Sequence, residues 1–220
     1  KIHTKANLLG ISNRVFRIQT FLEKVISENP ELIDYKVLAV KRVDFADVDI
    51  KDEFFDSFRE DYAEFDNWFN KKSDDICYVC FSEGNLTAFL FIKTEGINEN
   101  YAEINPVFEK KKRLKIGTFK VTANGYKIGE RFLKIIFDNA LQSRVDEIYV
   151  TIFDKREEQE RLIELLKVWG FCYFGIKTTQ NGDEQVYVRS FNKELINTDN
   201  PKLTFPFFSR EQNIFLVPIY

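Results

Sequence analysis

At 220 residues, with 44% hydrophobic and 30% charged residues, 23 Phe and 9 Tyr, the chain has ample apolar material for a packed core under an ordinary charged surface. A formal net charge of −3 gives no global footing to a nucleic-acid-binding face. The longest apolar runs, residues 76–81 and 88–92, are too short to span a bilayer, and no signal-peptide pattern is present; the expectation is a cytoplasmic protein with no membrane partner.

Ile11, Val15, Ile18, Leu22, Val25 and Ile26 keep helical spacing, and Pro30 closes that segment. Residues 35–40 read as a strand through Val37, Leu38 and Val40. Between 52 and 71, Phe54, Phe58, Tyr62, Phe65 and Phe69 recur at steps of three and four, while Asp56, Glu60, Asp61, Glu64 and Asp66 fill the opposite surface. That pattern predicts one amphipathic helix with Phe58, Tyr62 and Phe65 buried against a sheet. Residues 76–81 and 86–92 flank Ser82-Glu83-Gly84-Asn85 as a β-hairpin. Cys77 and Cys80 form a CxxC within the first of these strands. Residues three apart in a strand point to opposite faces, so the two thiols share no metal and read as plain buried cysteines. The one histidine is His3, so no histidine-assisted metal site is expected.

Residues 98–112 read as a loop holding a short strand. A strand at 114–121 then runs through a glycine loop into a helix at 128–141 that is apolar on most faces. A strand at 147–153, a helix at 157–169 with Gly170 at its C′ position, and a hairpin of residues 172–178 and 185–191 complete the order. Repeats and low-complexity tracts are absent. Pro201, Pro206 and Pro218 mark a change of composition after residue 197, read as a linker toward a further element. With Lys1 opening the chain and an apolar run at 213–220, the expectation is a piece of a longer chain with a further domain.

The centre of the sequence is Val121-Thr122-Ala123-Asn124-Gly125-Tyr126-Lys127-Ile128-Gly129-Glu130. A strand that breaks into a glycine-containing loop and then a helix leaves free N–H groups at the helix N-terminus, suited to a phosphate or pyrophosphate. Gly125 and Gly129 would let backbone approach such a group, and Lys127 could add a cation beside it. A strand–turn–helix junction also needs glycine for purely steric reasons, so the loop alone leaves both readings open.

Together with the Gly170-Phe171 ending and the hairpin after it, the stretch resembles the acyl-CoA-binding core of the GNAT superfamily of N-acyltransferases. The family's loop signature is Gln/Arg-x-x-Gly-x-Gly/Ala; Asn124 stands for the Gln/Arg, Lys127 for the inner Gly and Gly129 for the outer one. The resemblance runs over residues 35–191. It implies an α+β fold: a mixed, mostly antiparallel central sheet flanked by helices, with a splayed parallel pair forming the CoA site. On that plan residues 1–33 are an N-terminal helical extension, 34–195 a GNAT-like acyltransferase domain, and 196–220 a linker or the start of a further element. It implies acetyl-CoA as co-substrate and no metal. Pantetheine would lie along the backbone of Phe119, Lys120 and Val121. The pyrophosphate would sit on Asn124, Gly125, Tyr126, Lys127, Ile128, Gly129 and Glu130. Gln159 takes the place of an Asn often found near the start of the last helix.

Acetyl transfer to an amine needs a base for the amine and a proton donor for the departing thiolate. The family's tyrosine donor falls on Leu166, and the strand 114–121 holds no Asp or Glu. Glu103 as base and Tyr126 or Tyr149 as acid are the substitutes. Each has a simpler reading, Glu103 as a solvated loop carboxylate and Tyr149 as a core aromatic. The acidic residues 56–66 would border the acceptor site and attract a cationic amine, a pattern a solvated helix face also explains. Two functions follow from the resemblance. One is an N-acetyltransferase acting on a small-molecule or protein amine by direct attack, without a covalent enzyme intermediate. The other is a non-catalytic GNAT-like module for CoA binding or interaction inside a larger protein. Lys110-Lys111-Lys112-Arg113 reads as a solvated run rather than a nucleic-acid site.

Overall fold

The computed structural model describes Glu28 and residues 38–122, 127–191 and 200–206. The helix expected from Ile11 and the loop residues 123–126 lie outside the described residues. From residue 38 onward the chain belongs to one unit, built on an eight-stranded sheet. Its strands are β1 (Lys41–Asp44), β2 (Ile76–Ser82), β3 (Asn85–Glu95), β4 (Ile104–Asn105), β5 (Arg113–Val121), β6 (Glu147–Ile152), β7 (Cys172–Thr179) and β8 (Gly182–Ser190). They lie in the order β1-β2-β3-β5-β6-β8-β7-β4, with β5 and β6 the parallel pair. The helices are α1 (Asp56–Asp61), α2 (Phe65–Asn70), α3 (Ile128–Gln142), α4 (Glu157–Val168) and α5 (Pro201–Thr204). This is the mixed, mostly antiparallel, GNAT-like architecture that the resemblance implies. Among the described residues no helix is long and apolar enough to cross a membrane.

Strand alternation divides the core. Ala88, Leu90, Leu114, Ile116, Ile148 and Val150 face the back of the sheet, where Phe132, Leu133 and Phe137 of α3 and Ile163 and Leu166 of α4 cover them. Phe89 and Phe91 face the front, beneath Phe45, Phe55, Phe65 and Phe69. Cys77 packs in the front cluster and Cys80 in the back one, as opposite-face residues must. Burial pushes the Cys77 thiol up to about 12.

Two expectations are corrected. The described part of 35–40 is not strand, and pairing with β2 begins at Lys41. Leu38 is buried in the back core and its carbonyl accepts from Arg131 of α3 at 2.7 Å, so it is withdrawn from the ladder. The single helix expected over 52–71 is also broken. Asp52 accepts from Phe54 N–H and caps a 3₁₀ turn (Glu53–Phe55), and α1 ends at Tyr62, which is extended with φ −134° and ψ 101°. The break swings Tyr62 toward Phe153 and Glu184. It also lets Phe55, outside the predicted stripe, reach Phe65, Phe69 and Phe89 at ring separations of 5.3–5.7 Å. Phe65 is buried as expected, whereas Phe58 and Tyr62 are half-buried.

In the tail, Phe205 packs on Phe137 and Trp169, and Arg189 donates to the carbonyls of Leu203 and Phe205. Residues 200–206 are therefore docked on the sheet domain.

Phe55 is fully buried among five other rings, so Phe55→Ala is expected to cost about 3–5 kcal/mol in urea denaturation. Phe58→Ala, at a half-buried position, should cost clearly less; equal losses would place the two rings in the wrong layers.

Candidate active site

The site begins where β5 and β6 stop pairing. Their parallel register runs from Arg113↔Glu147 to Ile116↔Val150 and goes no further, although β5 continues to Val121 and β6 to Ile152. Below the parting point Arg113 is 1% exposed and holds Glu147 through two nitrogens, at 3.0 and 2.9 Å. At the parting point the β3–β5 register shifts, with Gly117 as the extra residue on β5. A Cβ on Gly117 would lie 2.7 Å from Cδ1 of Phe91, so the bulge needs glycine to clear the front core. Beyond it Thr122 N–H donates to Thr87 O at 2.9 Å. Alternation then turns the backbone groups of Lys120 toward β3 and those of Phe119 and Val121 toward the gap.

The gap opens a cleft of about 810 Å³ that passes through the sheet. Its back is lined by Gly129 of α3 and by Leu162 and Leu165 of α4, and its front by Phe58, Tyr62, Trp68 and Phe91. Gly129 is the second residue of α3, and a Cβ there would meet Leu165 Cδ2 at 2.8 Å. The glycine thus lets the first turn of α3 close on α4 beside the cleft. Lys127, preceding that turn, has φ 51°, a left-handed conformation that costs a non-glycine residue about 1–2 kcal/mol. The inner position of the loop signature keeps glycine's backbone while carrying lysine.

The front chamber is polar and buried. Glu95 is 4% exposed and accepts from Tyr101 at 3.0 Å and Tyr149 at 2.7 Å. Glu184 is 3% exposed, accepts from Tyr62, and lies 4.0 Å from Lys177 Nζ. Both carboxylates line the cleft. Arg156, the N-cap of α4, reaches across to Glu60 at 2.9 Å and to Asp61, tying α1 to the β6 side of the gap.

The expected site residues fall into three groups. Asn124, Gly125 and Tyr126 lie outside the described residues. Phe119, Lys120, Val121, Gly129 and Gln159 line the cleft. The Phe119 ring is committed to Phe132, and Lys120 Nζ to Phe54 O and Ser57 Oγ at 2.8 Å, which leaves backbone as what Phe119 offers the gap. The Gln159 oxygen accepts from Lys155 and Arg156 N–H, and its NH₂ donates to Asp61 at 2.8 Å. Ile128 is buried in the back core and Glu130 pairs with Lys202 at 3.3 Å, so their side chains serve packing and the tail. Glu103 stands exposed at the cleft mouth, 3.4 Å from Lys177. Tyr149 is 2% exposed, is not among the cleft-lining residues, and donates its hydroxyl hydrogen bond to Glu95. Leu166 is fully buried in the back core. Sequence reading missed Glu95, Glu184 and Lys115. Each sits at a strand position whose alternation is polar, but only the sheet order brings β3, β5 and β8 to one chamber.

No family model matches this sequence, and no curated protein matches it. Solved structures of similar fold include Ard1 from Thermoplasma volcanium, at 10% identity and TM-score 0.49 over 70% of this chain and 97% of that one. An IAA acetyltransferase from Bacillus cereus is similar at 12% identity and TM-score 0.47 over 70% and 99%. A chain of the NatC complex bound to Gag peptide and CoA is similar at 16% identity and TM-score 0.42 over 70% and 99%.

The phenols of this chamber resist ionisation. Burial first, then Glu95, pushes Tyr101 up to about 12, and burial with a neighbouring carboxylate pushes Tyr62 and Tyr149 higher still. A phenol whose folded value lies above its unfolded value of about 10 stabilises the fold fully below pH 10 and progressively less from 10 to 12. Unfolding free energy should therefore fall from about pH 10 to about pH 12, and Tyr101→Phe should flatten part of that fall. An unchanged slope in the variant would remove Tyr101 from the account.

Proposed function

We propose that this chain is an acetyl-CoA-dependent N-acetyltransferase in which an amine acceptor attacks the thioester directly. The observation that carries the reading is the parting of β5 from β6 at Ile116 and Val150, which opens a through-sheet cleft between a free strand edge and two buried carboxylates. The residues present fit the co-substrate. The backbone groups of Phe119 and Val121 face the gap as the rungs an extended amide chain such as pantetheine would pair with. Gly129, in the first turn of α3, lines the cleft, and the free N–H groups of a helix start suit a pyrophosphate, with Lys127 just before that turn. Acetyl-CoA supplies an acyl group activated as a thioester.

Glu184 is the candidate base. It is buried, lines the cleft and is oriented by the Tyr62 hydroxyl. It takes the proton that an acceptor ammonium must lose before its nitrogen can form the new C–N bond. Phe119 N–H, on the free edge of β5, is a candidate donor for charge gathering on the acyl oxygen. As the C–S bond breaks, the thiolate of a thiol with an ordinary value of about 8.5 leaves readily near neutral pH. Tyr62, hydrogen-bonded to Glu184, can return the proton to it, a role for which Tyr149 is too enclosed. Glu103 serves the cleft mouth as a solvated carboxylate paired with Lys177.

Calorimetry with acetyl-CoA should show binding that Gly129→Asp abolishes and Gly129→Ala merely weakens. The alanine reads the contact with Leu165 and the aspartate adds the charge. No heat with wild-type protein would remove the reading.

Glu184→Gln keeps shape and the hydrogen bond from Tyr62. It should leave acetyl-CoA affinity intact and lower kcat by about 10²–10⁴-fold in a thiol-release assay over an amine panel. Acetyl-CoA binding with no transfer to any amine by wild type would favour the non-catalytic module instead.

A further inference from the structure

Six cationic side chains line the cleft. Lys72 pairs with Asp75 at 2.7 Å, Lys93 with Glu95 at 3.4 Å, Arg161 with Glu157 at 2.7 Å and Lys177 with Glu103 at 3.4 Å. Lys120 donates to a carbonyl and a hydroxyl. Lys115 makes no hydrogen bond or ion pair with a described residue, and its ammonium lies 5.8 Å from the centre of the Tyr149 ring. It sits on β5 opposite Lys93 of β3 and Tyr149 of β6, one residue before the strands part, and is half-buried.

An ammonium drawn into a cleft without an ion-pair or hydrogen-bond contact is costly. Burial foremost, then Lys177, lowers the Lys115 value; Glu95 and Glu184 oppose that, and Lys93 adds to it. Both carboxylates have hydroxyl donors already in place, and Lys93 and Lys177 have ion-pair partners, whereas Lys115 has neither a hydrogen bond nor an ion pair among the described residues. An anion entering there would give Lys115 the partner that no described residue provides. Its other end would lie toward Glu184, the base assigned above, and toward the rings of Tyr62, Trp68 and Phe91.

We propose that Lys115 binds a carboxylate of the acceptor, so that the substrates of this site are amines carrying a carboxylate, amino acids with an apolar side chain foremost. This rests on the acyltransferase reading for which end of the cleft receives the acceptor. Lys115 is a specificity residue here, acting on substrate binding and not on proton transfer.

The test uses reaction products, which need no acetyl-CoA to bind. N-acetyl-leucine and N-acetyl-phenylalanine, each beside its carboxamide, are titrated into wild type, Lys115→Met and Lys115→Arg by calorimetry, with thermal melting to verify folding. The wild type should bind the acids at least tenfold more tightly than the amides. Lys115→Met should erase that preference while keeping the amide affinity, and Lys115→Arg should restore it. Equal affinity for acid and amide in wild type, no binding of either, or a preference that survives in Lys115→Met would overturn the proposal. Acetyl-CoA titrated into the same preparations separates the two ideas. Acetyl-CoA binding without acid preference sinks the carboxylate site alone; acid preference without acetyl-CoA binding sinks the acyltransferase reading and leaves the anion site standing.

Discussion

The parallel pairing of β5 with β6, clamped at one end and released at the other, is the constraint on which the rest of this domain depends. Arg113 and Glu147 hold the lower end inside the protein, with the Arg113 guanidinium 4.1 Å from the Phe108 ring centre and donating to Glu109 O. Removing one partner of such a buried pair typically costs about 3–5 kcal/mol, because the other is left uncompensated. The register is thus firm where the strands meet, and the parting begins at one defined place. The bulge at Gly117 adds the second half of the device, because the extra residue bends β5 away just where pairing ends.

A gap in a sheet has to be supported on both sides, and this one is. Behind it, Gly129 brings the start of α3 against Leu165 of α4. In front, Arg156 and Gln159 at the start of α4 bond Asp61 at the end of α1, so the front helices are tied to the far side of the gap. Asp61 is 8% exposed, and its two partners are what make that burial tolerable. These contacts leave backbone edges and a polar chamber as the surfaces a substrate would meet.

The chamber itself is built from carboxylates that the protein has already hydrogen-bonded. Glu95 has two phenol donors and Glu184 one, which fixes their rotamers, and burial first, then these carboxylates, keeps Tyr62 and Tyr149 protonated above their ordinary range. Against that background half-buried Lys115, which has no hydrogen bond or ion pair among the described residues, stands out.

Local pattern determined most of the fold. The apolar strand runs, the strand and apolar helix on either side of residues 123–126, Gly170 with φ 81° closing α4, and the opposite faces of Cys77 and Cys80 were legible because each depends on neighbours a few residues apart. The step pattern of Phe54 to Phe69 was legible as burial but not as shape. Whether such a stripe stays one helix depends on what each ring must touch, and Tyr62 is drawn to β8 by Glu184, 122 residues away in sequence. The site followed the same division. The cleft-lining positions Phe119, Lys120, Val121 and Gly129 were named through the family resemblance, which rests on local sequence pattern. The enclosure of Tyr149 against Glu95, and the gathering of Glu95, Glu184 and Lys115 at one cleft, were not legible, because side-chain surroundings are decided by which strands become neighbours. A carboxylate on β3 and another on β8 look like ordinary polar positions of their own strands, and only the order β3-β5-β6-β8 sets them around one cleft.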